Sequence, residues 1–574
     1  MVATPVKTKR LTVQVADLTA DITAIRSLDW DRDRFDIEFG LQNGTTYNSY
    51  LIRGEKIALV DTSHEKFRQL YFDSLNGLIN PQEIDYLIIS HTEPDHSGLV
   101  KDLLQLAPNI TVVGSKVAIQ FLENLVHHPF QRQLVKNGDQ LDLGNGHILE
   151  FVNAPNLHWP DTIFTYDHGS GILFTCDAFG MHYCSDDLYD EQLSAIEPDY
   201  RFYYECLMAP NARSVLAAMK RMEPLGNINL VANGHGPVLK HNVTELLTRY
   251  RDWSQAQTKA EKTVAVFYIS DYGYSDRLCQ SIAKGITKTG LAVETLDLKS
   301  ADPQEVKELA SSAVGIVIGT PPVSGIHAQE ITGNLGTILA SVNPKQYLGM
   351  FESKGDDDES ILPLFNKFRE VGLTKAFDPI RSAETPNESL YQRCEEAGTD
   401  MGQLLTQEVK VKQRKSLDTD LDKAIGRISG GLYIITTKKG DRSGAMVASW
   451  VTQASFDPPG FTVAVAKDRA IESLLQVGDQ FILNILEEGN YQTLMKHFLK
   501  RFGPGEDRFA GVNTRTANNG SPILADALAY LECEVVSRME CADHWIVYNK
   551  VTDGRVSKPD SLTAVHHRKV GNYY

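Results

Sequence analysis

No Cys-x-x-Cys pair occurs anywhere in this chain, and its seven cysteines, at positions 176, 184, 206, 279, 394, 533 and 541, are an odd number. That excludes a disulfide framework, a zinc knuckle and a cysteine-ligated iron centre. Redox chemistry, if any, falls to histidines, carboxylates and flavins. Positive charge is also short: 57 Lys and Arg stand against 74 Asp and Glu, a formal charge of -17. A phosphate backbone is a poor partner for such a surface, so nucleic acid is not expected. No run approaches the ~20 apolar residues that cross a bilayer. The opening MVATPVKTKRLTVQVADLTADI lacks the apolar centre of a signal peptide, so the reading is no transmembrane segment and a cytoplasmic protein. No GxGxxG follows a strand, which leaves out a Rossmann-type nicotinamide domain.

What is present is a chain of 574 residues, 42% hydrophobic and 23% charged, too long for one core and predicting three domains. From about 20 to 255, short apolar runs such as KIALVDT, IDYLIIS, ITVVGS and GILFTCD end in polar, Gly-bearing or His-bearing loops, as buried strands do when they present a site at their ends. The polar stretch DWSQAQTKAEK, 252–262, marks a boundary. From 262 to 408 strand-like and helix-like runs alternate, KTVAVFYIS, SDRLCQSIAKGITKTG, LAVETLDL, PQEVKELASS, AVGIVIGT, which predicts βαβ units in an open, doubly wound parallel sheet. VKVKQRKSLDTD, 409–420, has four basic residues and no apolar periodicity and reads as a second linker. From 418 to 574, GGLYIITT, GAMVASWVTQASF, FTVAVAK and QFILNIL predict a β-barrel. The fold class expected is therefore a multidomain α/β protein.

The strand IDYLIIS runs directly into HTEPDHSG, placing His91, Glu93, Asp95 and His96 within six residues. Four ligand-type side chains at a strand end concentrate charge that needs a cation, and Pro94 and Gly98 set the turn that could wrap one. His158 in APNLHWPDT, Asp177 in LFTCDAFG and His235 in VANGHGPV could complete a seven-ligand, two-metal site. Taken singly, His158 or His235 reads better as an ordinary loop histidine; the HxExDH cluster does not. His64, His127 and His128 have no such company and read as structural.

The cluster resembles the metal loop of the metallo-β-lactamase fold, whose hydrolases carry HxHxDH there; here Glu93 takes the second histidine position. A hard anionic oxygen in place of a nitrogen shifts preference from zinc toward iron. HxExDH, with the later motifs in the same order and eighteen residues between His158 and Asp177, is similar to the signature of the flavodiiron proteins. The resemblance implies that one iron is held by His91, Glu93 and His158, the other by Asp95, His96 and His235, and that Asp177 bridges them.

In flavodoxin-like domains a Ser/Thr-rich turn after the first strand binds the FMN phosphate. Ser270, Tyr272, Gly273, Tyr274 and Ser275 occupy that turn, with Asp271 and Asp276 unfavourable to an anion unless they turn away. Thr320, Pro321, Pro322, Val323 and Gly325, in GTPPVSG, resemble the flavin-edge loop. The third loop, FESKGDDDES at 351–360, has four consecutive acidic residues and no ring suited to stack on a flavin. The C-terminal GGLYIITT, GAMVASWVTQASFDPP, FILNIL, DRFAG, ADHWIVYNKV and VHHRKVGNYY together resemble the split-barrel flavin reductase domain of the flavodiiron class from oxygenic photosynthetic organisms. Ala448 and Ser449 would let the backbone approach a flavin phosphate and Asn484 would meet a flavin edge. His544 and His567 stand as nicotinamide contacts or, equally, as structural histidines.

By resemblance, the chain is a flavodiiron NAD(P)H:oxygen oxidoreductase that protects photosynthetic electron transport by reducing O2 to water, four electrons at a time. Its cofactors would be two non-haem irons, FMN in the flavodoxin-like domain, and FMN or FAD in the reductase domain, and it would act as a homodimer or hetero-oligomer. Nitric oxide reduction, a low-activity partner subunit of a hetero-oligomer, and a zinc hydrolase of the parent fold are the alternatives.

Overall fold

The computed structural model describes residues 10–32, 34–35, 39–270, 274–299, 301–320, 328–352, 361–382, 386–416 and 420–568. Two compact units emerge, the first largely from residues up to 261 and the second from 262 onward.

The first unit is a sandwich. Seven strands, β1 (Leu11–Asp17), β2 (Ile22–Asp29), β3 (Thr45–Arg53), β4 (Ile57–Val60), β5 (Tyr86–Ile89), β6 (Thr111–Gly114) and β7 (Gln131–Leu134), form one sheet in sequence order. The second sheet holds β8 (Gln140–Gly144), β9 (His147–Asn153), β10 (Ile163–Asp167), β11 (Ile172–Cys176) and β12 (Leu230–Asn233), also in order. Strand alternation divides the apolar residues between two cores. Ile88 and Val113 face the second sheet with Phe151, Phe174 and Leu230. Leu87, Ile89 and Val112 face outward, onto helices Arg68–Leu78, Val100–Leu106 and Lys116–Val126. The result is the expected αββα layering.

In the second unit, β13 (Thr263–Tyr268), β14 (Ala292–Asp297), β15 (Gly315–Gly319), β16 (Tyr347–Glu352) and β17 (Thr374–Lys375) are all parallel, in the order β14-β13-β15-β16-β17. This is the flavodoxin-type order, 2-1-3-4-5. Ala265 and Phe267 pack on one face of the sheet, Val264, Val266 and Tyr268 on the other, each under helices, so the strands are apolar throughout. Two helices matter below: α1 (Tyr274–Thr287) and α2 (Glu388–Ser416). The second of these continues through residue 416, so the first part of the segment read as a linker is helical.

The C-terminal strands β18 (Tyr433–Lys439), β19 (Arg442–Ala448), β20 (Val451–Phe456), β21 (Pro459–Ala466), β22 (Gln480–Ile485), β23 (Ala529–Cys541) and β24 (His544–Val556) form an antiparallel sheet ordered β19-β18-β22-β23-β24-β21-β20. Its two outermost strands, β19 and β20, are joined by Ser449 and Trp450 alone. So short a connection brings one end of each edge strand together and so curls the sheet, as the expected split barrel requires. No described helix is long and apolar enough to cross a membrane.

Candidate metal centre

Strand β5 ends at Ile89, and Pro94 opens a single helical turn, Pro94–Ser97, that carries Asp95 and His96. Proline suits the first helical position because the amide it lacks would have no partner there. Ser97 Oγ donates to the Thr92 carbonyl at 2.7 Å, and the amide and hydroxyl of Thr62 donate to the His96 carbonyl at 2.8 and 2.6 Å. Gly98 is required: a Cβ there would stand 2.4 Å from the Pro94 carbonyl oxygen. Strands β11 and β12 are parallel neighbours, so Asp177 and His235, just past their ends, emerge on the same side. His158 lies in the β9–β10 connection.

All seven side chains singled out in the sequence converge. Nε2 of His91 lies 3.3 Å from Glu93 Oε2 and 3.4 Å from Asp177 Oδ2; Nε2 of His158 lies 3.0 Å and 3.4 Å from the same two oxygens. On the other side, Nε2 of His96 is 3.0 Å from Asp177 Oδ1 and 3.4 Å from Asp95 Oδ1, and Nε2 of His235 is 3.1 Å from Asp177 Oδ1 and 3.4 Å from Asp95 Oδ2. Two poles result, each with two imidazoles and one carboxylate of its own, and each receives one oxygen of Asp177. With ligand bonds of about 2.1 Å, atoms at adjacent positions around a shared ion stand about 3.0 to 3.4 Å apart. The donor set thus fits an ion at each pole. Asp95 Oδ1 and Asp177 Oδ2 are buried and accept no hydrogen bond, as oxygens kept for a cation would be.

The charge balance points the same way. Burial alone would lower the histidines and raise the acids, but the carboxylates prevail. His91 is raised well above the ordinary imidazole value, His96 up to about 9 by Asp95 and Asp177, and His158 up to about 10 by Glu93 and Asp177. Conversely, His158 holds Glu93, and His96 holds Asp177, well below the carboxylate range. Three converging carboxylates, Asp177 buried and Glu93 and Asp95 partly so, demand positive charge, from protons or from metal ions.

Sequence reasoning missed the groups behind the ring. Asp161, fully buried, accepts from Thr92 N at 2.8 Å and Thr92 Oγ1 at 2.5 Å through Oδ2, leaving Oδ1 2.9 Å from His91 Nδ1. The Thr46 carbonyl lies 2.6 Å from His235 Nδ1. Both acceptors lie on the Nδ1 side, so each ring donates through Nδ1 and turns its Nε2 to the pocket. Only the acid three positions after His158 could have signalled Asp161. His182 was also missed: its ring centroid lies 4.6 Å from that of His235, and burial, aided by His235, keeps it neutral.

The flavin positions divide. Tyr272, Gly273, Pro321, Pro322, Val323, Gly325 and positions 353–360 of the acidic loop lie outside the described residues. Ser270 Oγ donates to Asp297 Oδ2 at 2.7 Å, Tyr274 and Ser275 open α1, and Thr320 N donates to the Phe351 carbonyl at 3.0 Å. Asp276 is turned inward, buried against Tyr268. In the barrel, Ala448 and Ser449 are buried at the edge junction, and Ser449 Oγ has no hydrogen-bond partner. Asn484 departs from expectation. Its amide donates to the Ile434 carbonyl and Thr436 Oγ1 and accepts from Leu524 N, with no exposed surface. In this arrangement it clamps strands together. The His544 ring is 5.1 Å from that of Trp450, and His567 is exposed.

Residues 45–236 match the family described as ODP family beta lactamase, and residues 425–573 match the flavin reductase like domain. Diflavin flavoprotein A 1 of Synechocystis sp. is 70% identical over 566 residues, covering 99% of this chain and 98% of that protein. The chain belongs to the diflavin flavoprotein A family of flavodiiron proteins. Among solved structures, the metal-soaked Flv1 flavodiiron core from Synechocystis sp. PCC6803 is 38% identical with a TM-score of 0.63, covering 69% of this chain and 99% of its own. Flavodiiron membership makes this chain an oxidoreductase and implies iron and flavin as its cofactors.

Proposed function

We propose that this chain reduces dioxygen to water at a di-iron centre, with one iron on His91, Glu93 and His158, the other on Asp95, His96 and His235, and Asp177 between them. The observation that carries the reading is the division of the Asp177 carboxylate, one oxygen to each pole. Bound iron supplies two of the four electrons, and a reduced flavin the other two. The chain's own work is positional. Asp161 and the Thr46 carbonyl hold two rings with Nε2 inward, the turn after Pro94 places Asp95 and His96, and burial excludes bulk water from the pocket. Electrons would come from NAD(P)H bound on the barrel, through its flavin and an FMN at the ends of the parallel strands. The seven proposed ligands, the flavin turn of Ser270, Tyr274 and Ser275, and Ser449 with its unpartnered hydroxyl carry the assignment.

The test is oxygen uptake by the purified chain, its iron and flavin content measured first, on addition of NADH or NADPH. Uptake in a ratio of two NAD(P)H per O2, without peroxide, is expected. A fully loaded protein that consumes no oxygen overturns the proposal, and uptake of nitric oxide alone replaces its substrate. Zinc as the only bound metal would return the chain to the hydrolases.

A further inference from the structure

Helix α2 has two faces of opposite character, both covered. On one, Tyr391, Cys394, Ala397 and Met401 share a core with Leu278, Ile282 and Ile286 of α1. The two backbones touch: a Cβ on Gly285 would stand 2.0 Å from the Glu395 carbonyl oxygen, and one on Gly398 2.1 Å from that of Ile282. The helix is therefore an integral part of the flavodoxin-like region.

The other face is polar and runs against the barrel. Glu388 meets Arg442 at 3.0 Å, Gln392 donates to the Ser443 carbonyl at 2.9 Å, Glu396 meets Arg508 at 2.9 Å and accepts from Gly505 N at 2.8 Å, and Gln403 donates to the Asp468 carbonyl at 2.9 Å. The spacing 388, 392, 396, 403 is that of one helical stripe. At its centre is a chain of alternating charges, Lys284, Glu395, Lys288, Glu472 and Arg538. The first three belong to the flavodoxin-like region and the last two to the barrel. Lys288 joins the halves, paired with Glu395 and lying 2.8 Å from Glu472; its side chain is 10% exposed, those of Glu395, Glu472 and Arg538 no more than 8%.

Burial would discharge Lys288, Glu395 and Glu472, yet their neighbours hold these three in their charged forms. Glu395 and Glu472 raise Lys288, and the lysines, with Arg538, lower Glu472. Buried ion pairs add little net stability, because desolvation offsets attraction, but a misplaced partner leaves a bare charge and is strongly penalised. Such a chain discriminates among poses more than it strengthens one.

We propose that the polar face of α2 is the docking surface for this chain's own flavin reductase region, and that Lys288 with Glu472 selects a single pose, so that the two regions behave as one rigid body instead of a tethered pair. The proposal stands on the second unit alone and does not depend on the metal centre or the substrate.

Hydrogen exchange and small-angle scattering on the full-length chain test it. Glu472→Lys places three cations together, at 288, 472 and 538. Exchange at 442–443 and 470–474 is expected to rise at least about tenfold, with a larger radius of gyration. The reciprocal Lys288→Glu, which sets three acids together with Glu395 and Glu472, should act alike. If Glu472→Lys unfolds the barrel, as judged by circular dichroism, Glu472→Gln provides the milder loss. Unchanged exchange and radius in the single variants overturn the proposal.

Discussion

Asp161 Oδ1 lies 2.9 Å from Nδ1 of His91, while Nε2 of that ring faces Glu93 and Asp177. A buried carboxylate behind an imidazole fixes its tautomer and raises its basicity. Asp161→Asn keeps the shape and removes the charge. Metal affinity at the pole of His91 and His158 should fall about 10- to 100-fold, with the other pole nearly unaffected, as read by a chelator competition titration. Equal loss at both poles would show instead that Asp161 supports the fold.

Asp177→Asn tests the bridge. An amide offers one oxygen where the carboxylate offers two, and the one fully buried carboxylate of the three loses its charge. Retention is expected to drop from two metal ions per chain to one or fewer, measured by elemental analysis after gel filtration. Two ions retained would remove Asp177 from the bridging role.

Proton linkage supplies a third measurement. Without metal, His96 and His158 titrate at about 9 and about 10, above the ~6.5 of an unfolded imidazole. Their charged forms stabilise the metal-free fold fully below pH ~6.5, and that contribution is lost as pH rises through 9 and 10. Thermal unfolding of metal-free protein should shift to lower temperature over that range. Loading with metal at pH 7 should release protons, visible as a buffer-dependent heat in calorimetry.

Packing gives a fourth. A Cβ on Gly234 would stand 2.7 Å from Cε1 of His96 and 3.1 Å from the Cys176 carbonyl carbon. Gly234→Ala should cost about 1 to 3 kcal/mol of stability and weaken metal retention at the pole of His96, both followed by thermal unfolding with and without metal.

Glu93→His restores the nitrogen that zinc hydrolases carry. In competitive loading the zinc-to-iron ratio should rise by about tenfold or more. An unchanged ratio would remove Glu93 as the residue that sets metal preference.

The ligand cluster was legible because four of its members share one loop, and a pattern of types at short spacing survives without coordinates. The parallel sheet was legible because strands buried on both faces are apolar throughout, as Val264 to Phe267 are. Asp161 was not, since a hydrogen-bonded acid in a loop resembles any other. Asn484 misled for a related reason: an amide at a strand end can serve a ligand or its neighbours, and only the positions of Ile434, Thr436 and Leu524 decide. Neither was the dual role of α2, whose polar face reads as solvated until the barrel is laid against it.

The two poles carry matching donors, yet they cannot be electronic twins. Behind His91 stands a full negative charge, and behind His235 a neutral carbonyl. An ion bound at the first pole would feel a more negative field than one at the second, a difference written in residues that never touch the metal.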